Sequence, residues 1–400
     1  MSADTPSPVF GQAGFGQAGF GHADSVITIN GDGVVANWRY LDGLSDRNTE
    51  TAAVVKANAY GLGADRIAPA LAGAGCRTFF VMSLAEAVAL RGALSESGYG
   101  DRRIFALGGC HDGQAQDFIA ADIMPVINSL AQLDHWRRAA AGTDTPCGAA
   151  LHLDTGMTRL GLDPEETTWL LRHIEAGEMP LAGVDIRLVM SHLSAGEDLA
   201  DEANERQLAS FTRMRAALPG LPASLANSGG TLRGGAFHMA MNRPGIALYG
   251  LHPAGLAATG EQVDQAASLR PAVIWQARIL QRRMANAGDP VGYNSTHRLR
   301  RDSRIFTLGV GYADGYPRSL GNVATVHIAG MPARVIGRVS MDSITVDVTG
   351  LDEARLASAT HADILGDGYT LAQMAEDAGT IGYEILTQLG QRPARHYVDC

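Results

Sequence analysis

Lysine is almost absent from this chain of 400 residues. Of its 32 Lys and Arg residues only Lys56 is lysine; the other 31 are arginine. Arginine can supply positive charge anywhere on a surface, but its guanidinium stays protonated and does not act as an amine nucleophile. The near-absence of lysine therefore directs attention to the one ε-amine that is kept, although an arginine-rich composition with one leftover lysine is the plainer alternative. Cysteine is scarce as well. Cys76, Cys110, Cys147 and Cys400 have no metal-ligand spacing and are too few for a disulfide framework. That pattern predicts a reducing, cytoplasmic setting and no metal site. No apolar run reaches membrane-spanning length, so no transmembrane helix is expected. Positive charge is in deficit, 32 basic against 42 acidic residues for a net charge of −10, and no Lys/Arg run forms a nucleic-acid patch. These absences argue against nucleic-acid, polyanion and membrane partners. What remains is a chain with 46% hydrophobic residues, long enough for two domains and a sizeable core.

The first residues form a short Gly-rich repeat, FGQAGFGQAGFGHA from Phe10 to Ala23, without the basic start and continuous apolar stretch of a secretory signal. Residues 1–25 are expected to be a flexible tail with no catalytic duty. From Val26 to about residue 265, short buried-type runs alternate with helical stretches. The strand candidates are AVVKA (53–57), TFFVMS (78–83), RIFAL (103–107), MPVIN (124–128), ALHLD (150–154), DIRLVMS (185–191), SLANS (224–228) and HMAMNR (238–243). Their apolar, β-branched character suits parallel strands. Helix candidates lie between them, such as SLAEAVALRGAL with Ser83 as N-cap and EETTWLLRHIEAG ending near Gly177. Eight strand–helix units predict an α/β fold, a (β/α)8 barrel of the TIM type. Residues 266–400 change character. Strand-like segments AVIWQARILQRRM, RIFTLGVGY, ATVHIAG, ARVIGRVSM and SITVDV follow one another across turn signals, and a short helical pair closes the chain. This predicts a mainly β C-terminal domain.

In such a barrel, chemistry gathers at the C-terminal ends of the strands. Lys56 stands at the first of these ends and leads into Ala57-Asn58-Ala59-Tyr60-Gly61-Leu62-Gly63. A partly desolvated lysine there has a lowered pKa and forms Schiff bases readily, whereas an ordinary lysine would snorkel out of the mouth. Other strand ends carry Asp154 to Arg159, Ser191-His192, Asn227-Ser228 and Arg243-Pro244-Gly245-Ile246. Ser228 and the amides of Gly245 and Ile246 fit the phosphate position often found after strands seven and eight. A lysine facing a phosphate site suits pyridoxal phosphate, and equally an aldolase lysine acting on a sugar phosphate.

The segment AVVKANAYGLGA resembles the cofactor-lysine motif of the alanine racemases. The resemblance continues in order through LDTGMTRLG, VMSHLS, LANSGGTLR, NRPGIALYGL, VGYNSTH, GVGYADGYPR and GRVSMD, and so covers nearly the whole chain from Val26. It implies a pyridoxal 5′-phosphate enzyme, an isomerase that interconverts L- and D-alanine for peptidoglycan. By the same resemblance Lys56 carries the cofactor and acts as one proton-transfer base, and Tyr293 acts as the opposite base. His192 is placed with the cofactor-binding residues as the partner of that phenol. Arg243 faces the pyridine nitrogen; being a permanent donor, it leaves that nitrogen unprotonated. Tyr60, Ser228, Gly245, Ile246 and Tyr383 match the phosphate-binding set. Arg159 and Met341 match the substrate-carboxylate site, where bidentate recognition suits arginine, and Tyr312, Arg318 and Arg338 match the substrate entrance. The family further implies a homodimer in which the β domain of one subunit completes the barrel site of the other.

Two positions depart from the pattern. His152 stands where many relatives carry a carbamylated lysine, seven residues before Arg159, and Ser224 stands where many have a histidine supporting the arginine below the ring. Both bear on substrate preference and rate, and leave open a broader amino-acid or serine racemase. The related barrel-plus-β decarboxylases typically place a carboxylate at the pyridine nitrogen, which Arg243 opposes. The pyridoxal phosphate homeostasis proteins resemble the barrel alone.

Overall fold

The computed structural model describes residues 21–143, 147–198 and 200–398. Most of the Gly-rich repeat, and Cys400, lie outside them. The chain divides into two compact units. One comprises Val34–Ala254 with Gly260–Leu269; the other comprises the residues up to Gly33, Gly255–Thr259 and the residues from Arg270 onward.

The first unit is built on a curled parallel sheet. Ala53–Val54, Thr78–Val81, Arg103–Ala106, Met124–Ile127, Cys147–His152, Val184–Met190 and Ala223–Ser224 pair with one another in sequence order. The strand centres are apolar on both faces because barrel interior and helical layer both bury them: Phe79, Phe80, Ile104, Phe105, Val126 and Leu151 are fully enclosed. The expected eighth strand shortens to Met241–Asn242, which pairs in parallel with Glu50–Thr51 just upstream of the first strand. Main-chain bonds complete the seam. On one side Ala240 N donates to Ala223 O (3.0 Å) and Arg243 N to Ala226 O (2.9 Å); on the other Ala52 N donates to Asn242 O (2.9 Å) and Val54 N to Pro244 O (3.0 Å). The sheet thus leaves no free edge. Helices start where the caps place them. Ser83 forms a reciprocal capping box with Glu86 at Leu84–Glu96, and Asp163 accepts the amides of Glu165 and Glu166 at Pro164–Glu175.

The second unit is mainly antiparallel. Its longest strand, Val273–Ala285, pairs with His361–Leu365 along its first half and with Ser303–Leu308 along its second, changing register at a bulge between Ile279 and Gln281. Ser303–Leu308, Ile344–Asp347, Met331–Ile336, Thr325–Ile328 and His361–Leu365 then pair in turn, closing a six-stranded barrel. Three features differ from the sequence reading. Ser25–Asn30, counted above with the α/β segment from Val26, is a strand of this second sheet, antiparallel to Val273–Ala285. The helical pair Leu371–Ala378 and Gly382–Thr387 does not close the chain, because Ala394–Val398 returns as a strand parallel to Ser25–Asn30. Helix Glu353–Ser358 and strand His361–Leu365 were also unforeseen. Among the described residues no helix is long and apolar enough to cross a membrane.

Candidate active site

The first barrel strand ends in an unusual turn. Lys56 opens it, and Ala57, Asn58, Ala59 and Tyr60 all have φ between 51° and 56°. It is one turn of left-handed helix, closed by Ala59 N to Val55 O (2.9 Å), Gly61 N to Ala57 O (2.8 Å) and Gly63 N to Asn58 O (2.9 Å). For L-residues this hand costs roughly 1–2 kcal/mol each, so four in a row store on the order of 4–8 kcal/mol. Neighbours hold the turn in place. Glu86 Oε1 accepts from Ala57 N (2.7 Å), Asn58 Oδ1 accepts from Ala64 N (2.8 Å), and the Tyr60 ring lies 4.6 Å from that of Tyr249. Lys56 itself is half-buried. Desolvation, reinforced by the Arg159 cation and opposed by Glu86, holds its pKa below the usual lysine value.

Across the mouth, the loops after the seventh and eighth strands form a cradle of donors. Asn227 caps the helix Ser228–Arg233 through the amide of Gly230 (3.1 Å). The Ser228 hydroxyl oxygen accepts from Gly245 N (2.9 Å) and Ala247 N (3.2 Å), drawing the start of the 3-10 turn Ile246–Tyr249 onto it. The amide of buried Ile246 has no protein acceptor among the described residues. Gly245 is required sterically, since a Cβ there would collide with the Tyr60 hydroxyl.

Arg243, only 3% exposed, lies between these walls. One Nη donates to the Ser224 hydroxyl and the other to Ser191 O (2.6 Å), while its guanidinium carbon lies 5.9 Å from the centroid of the Phe80 ring. Ser224 in turn donates to Met241 O (2.6 Å). Burial lowers the pKa of Arg243 to about 9, which leaves it a cation at neutral pH. The two imidazoles nearby are the opposite. Burial and the Arg243 and Arg159 cations hold His192 well below the ordinary histidine value. His152 is 8% exposed and pushed down to about 4, chiefly by burial and then by Arg243. Its tautomer follows from its partners. Asn128 Nδ2 donates to Leu107 O and Val126 O (both 2.9 Å), so Asn128 Oδ1 is an acceptor and His152 Nδ1, 2.8 Å away, carries the proton. The Arg159 loop folds back on this ring. Leu162 N donates to His152 O (2.8 Å), and Asp154 Oδ1 gathers the amides of Gly156, Met157 and Thr158. Arg159 is exposed and has no hydrogen bond or ion pair among the described residues.

The second unit collects most of the remaining candidates around residues 337–342. Tyr312 N donates to Ser340 O (3.1 Å) and Ala313 N to Met341 O (3.0 Å). The Gly292–Tyr293 turn lies against Arg338: a Cβ on Gly292 would sit 3.4 Å from Arg338 N. Arg318 starts the 3-10 turn Arg318–Leu320 that leads to Gly321, where a Cβ would sit 2.9 Å from Gly337 O. Buried Asp314 fixes this end. It accepts from Gly311 N (2.8 Å) and from Nε and Nη2 of Arg392 (2.6 Å each). Tyr293 and Met341 project from it, 68% and 53% exposed. Tyr383 is carried by the helix Gly382–Thr387.

The structure therefore gathers Lys56, Tyr60, Arg159, His192, Ser228, Arg243, Gly245 and Ile246 at the strand ends of one unit, and Tyr293, Tyr312, Arg318, Arg338 and Met341 at one end of the other. Sequence reasoning missed Glu86, Asn128 and Tyr249. Glu86 lies in the helix candidate SLAEAVALRGAL, whose start was read from Ser83 alone, and the other two are ordinary core polar residues in a linear string.

Comparison with known proteins agrees with this division. Residues 29–253 match the alanine racemase N-terminal domain and residues 272–397 the alanine racemase C-terminal domain. The chain is 46% identical to an alanine racemase of Acidiphilium cryptum over 370 residues, 92% of this chain and 97% of that protein. Identity to an alanine racemase of Brucella canis is 43%, over 88% of each chain. Among solved structures, the alanine racemase of Bartonella henselae with covalently bound pyridoxal phosphate superposes with a TM-score of 0.86 at 39% identity, covering 94% of this chain and all of that one.

Proposed function

The chain belongs to the alanine racemase family, and from that membership we propose that it interconverts L- and D-alanine with pyridoxal 5′-phosphate, as a homodimer in the cytoplasm that supplies D-alanine for peptidoglycan. The observation that carries this reading is the set of groups around one barrel mouth: the only lysine, a cradle of neutral donors, and between them a buried guanidinium.

The residues fit the cofactor. The buried Ile246 amide has no protein acceptor among the described residues, and Gly245, lacking a Cβ, lets the Tyr60 hydroxyl close in on the same turn. Neutral donors of this kind suit a phosphate dianion. Lys56 would hold the cofactor through its ε-amine. Ser228, Tyr60 and the amides of Gly245 and Ile246 would take the phosphate, and Arg243 would face the ring nitrogen. When bound, the cofactor supplies an electron-withdrawing ring that makes the α-proton of the amino acid acidic enough to leave.

The chain's own groups then move that proton. Lys56, depressed in pKa by burial, takes or returns it on one face. Tyr293 of the partner subunit does so on the other, which is why both hands of alanine are substrates. His192 stays neutral and offers a ring nitrogen to that phenol. Arg159 and the amide of the partner's Met341 bind the carboxylate, a pairing for which the unpaired guanidinium is suited. The partner's Tyr312, Arg318 and Arg338 line the entrance. Arg243, held as a cation by two neutral acceptors, keeps the ring nitrogen unprotonated and so disfavours side reactions that need a stronger electron sink.

The test is racemisation of L-alanine and L-serine by purified full-length protein, followed with the visible absorbance of the bound cofactor. Turnover of alanine, with loss of that absorbance in Lys56→Ala, is expected. A colourless protein that binds no added pyridoxal phosphate refutes the reading. Equal turnover of serine would instead favour a broader racemase, the alternative that His152 and Ser224 leave open.

A further inference from the structure

The Glu86 carboxylate does more than its place in a helix cap requires. In a capping box the side chain reaches back to the amide of the N-cap residue, here Ser83 N at 3.3 Å. Glu86 makes that contact its longest and spends its two short bonds elsewhere: Oε2 accepts from Met82 N (2.7 Å) and Oε1 from Ala57 N (2.7 Å). The second of these is the amide that immediately follows Lys56. One carboxylate thus joins the end of the second barrel strand to the first residue of the left-handed turn. Ala57 is the first residue of the turn with positive φ, so the direction of its amide helps set how the backbone leaves Lys56. We propose that Glu86 is a positioning residue that sets the trajectory of the Lys56 amine into the barrel mouth by clamping the left-handed turn to the neighbouring strand.

Charge adds to geometry. The groups that act on Lys56 are Arg159 and Glu86, and Lys56 in turn acts on His192. Arg159 disfavours the protonated amine and Glu86 favours it. Glu86 is the only acid among them, so it offsets the guanidinium and moderates the loss of basicity that burial imposes. The inference rests on the proposed role of Lys56 as cofactor lysine, but its test does not depend on that role, because the chain contains no other lysine.

The full-length protein, stripped of any bound cofactor, is labelled with an amine reagent across a pH series, and the Lys56 peptide is quantified by mass apart from the α-amine. Three variants are compared. Glu86→Gln keeps an oxygen for one amide and removes the charge, and Glu86→Ala removes both. Ser83→Ala breaks the same capping box from its other side, since Ser83 Oγ accepts from Glu86 N, without touching Ala57. In both Glu86 variants the labelling midpoint of Lys56 moves to lower pH. Retention of added pyridoxal phosphate falls about tenfold in Glu86→Ala, as expected for losing one charge-assisted hydrogen bond. Ser83→Ala lowers thermal stability but leaves the midpoint in place. Wild-type labelling and retention in both Glu86 variants overturns the proposal, and so does an equal shift in Ser83→Ala, which reduces Glu86 to a helix cap. If wild-type protein labels at Lys56 yet never holds the cofactor there, the parent reading fails while the labelling profiles still decide the role of Glu86.

Discussion

His152 makes acid a specific weakness of this protein. The group is buried and neutral, donates from Nδ1 to Asn128, and feels the cations of Arg243 and Arg159 with partial relief from Asp154. Its folded pKa of about 4 lies below the unfolded histidine value near 6.5. The sign follows: between those values the unfolded chain binds the extra proton, so stability rises with pH and is lost as pH falls from about 6.5 toward 4. Integrating the two titrations gives a penalty near zero at neutral pH, about 2 kcal/mol at pH 5 and about 3 kcal/mol at pH 4. His152→Gln can still donate to Asn128 but does not titrate. Urea unfolding of wild type and variant over this pH range, read as the difference between them, isolates the term from every other acid-sensitive group. The variant should gain on the wild type by about 2 kcal/mol between pH 7 and pH 5. A difference flat to within about 0.5 kcal/mol over the same range would refute the reasoning.

Four further outcomes follow from the geometry. Ser224→Ala removes the acceptor of one Arg243 bond and should cost about 2 kcal/mol in unfolding experiments, with weaker cofactor binding. Gly245→Ala forces a methyl group into the Tyr60 hydroxyl and should lower affinity for pyridoxal phosphate at least about tenfold, read by equilibrium absorbance. Ala57→Gly sits at an exposed left-handed position and should raise unfolding stability by about 1 kcal/mol, against the usual sense of that substitution. Tyr293→Phe should uncouple exchange from inversion. In deuterated water one enantiomer of alanine would still exchange its α-proton while racemisation stalls, and unchanged racemisation would remove Tyr293 from the mechanism.

Local signals in the sequence carried the barrel a long way. The strand runs, Ser83 and the acidic start of Pro164–Glu175 placed their elements because burial on both faces and cap chemistry are written in consecutive residues. The seam was less legible. Only two residues of HMAMNR form a ladder, and closure comes from single main-chain bonds that no periodicity announces. Ala394–Val398 was hidden for a similar reason: ARHYV has no strong apolar alternation, and its partner Ser25–Asn30 lies at the other end of the chain. The left-handed turn was the least legible feature, since alanine has no preference for that hand and long-range contacts from Glu86 and Tyr249 impose it. Ser224 shows how chemistry can survive a change of residue. Read as the loss of a supporting histidine, it is in the fold a hydroxyl that accepts from Arg243 and donates a hydrogen bond to Met241 O.

The glycines around residues 337–342 have an evolutionary consequence. Gly311 packs on the carbonyl of Met341, Gly315 on that of Gln388, Gly321 on that of Gly337 and Gly337 on that of Val291, each too close for a side chain. Loops joined backbone to backbone in this way cannot be lengthened or re-routed one segment at a time, because an insertion in any of them displaces the rest. Drift toward a new substrate is therefore channelled into exchanging the outward side chains at positions such as Tyr312, Arg318 and Met341, so homologues of differing selectivity should share loop lengths here and differ in rim chemistry.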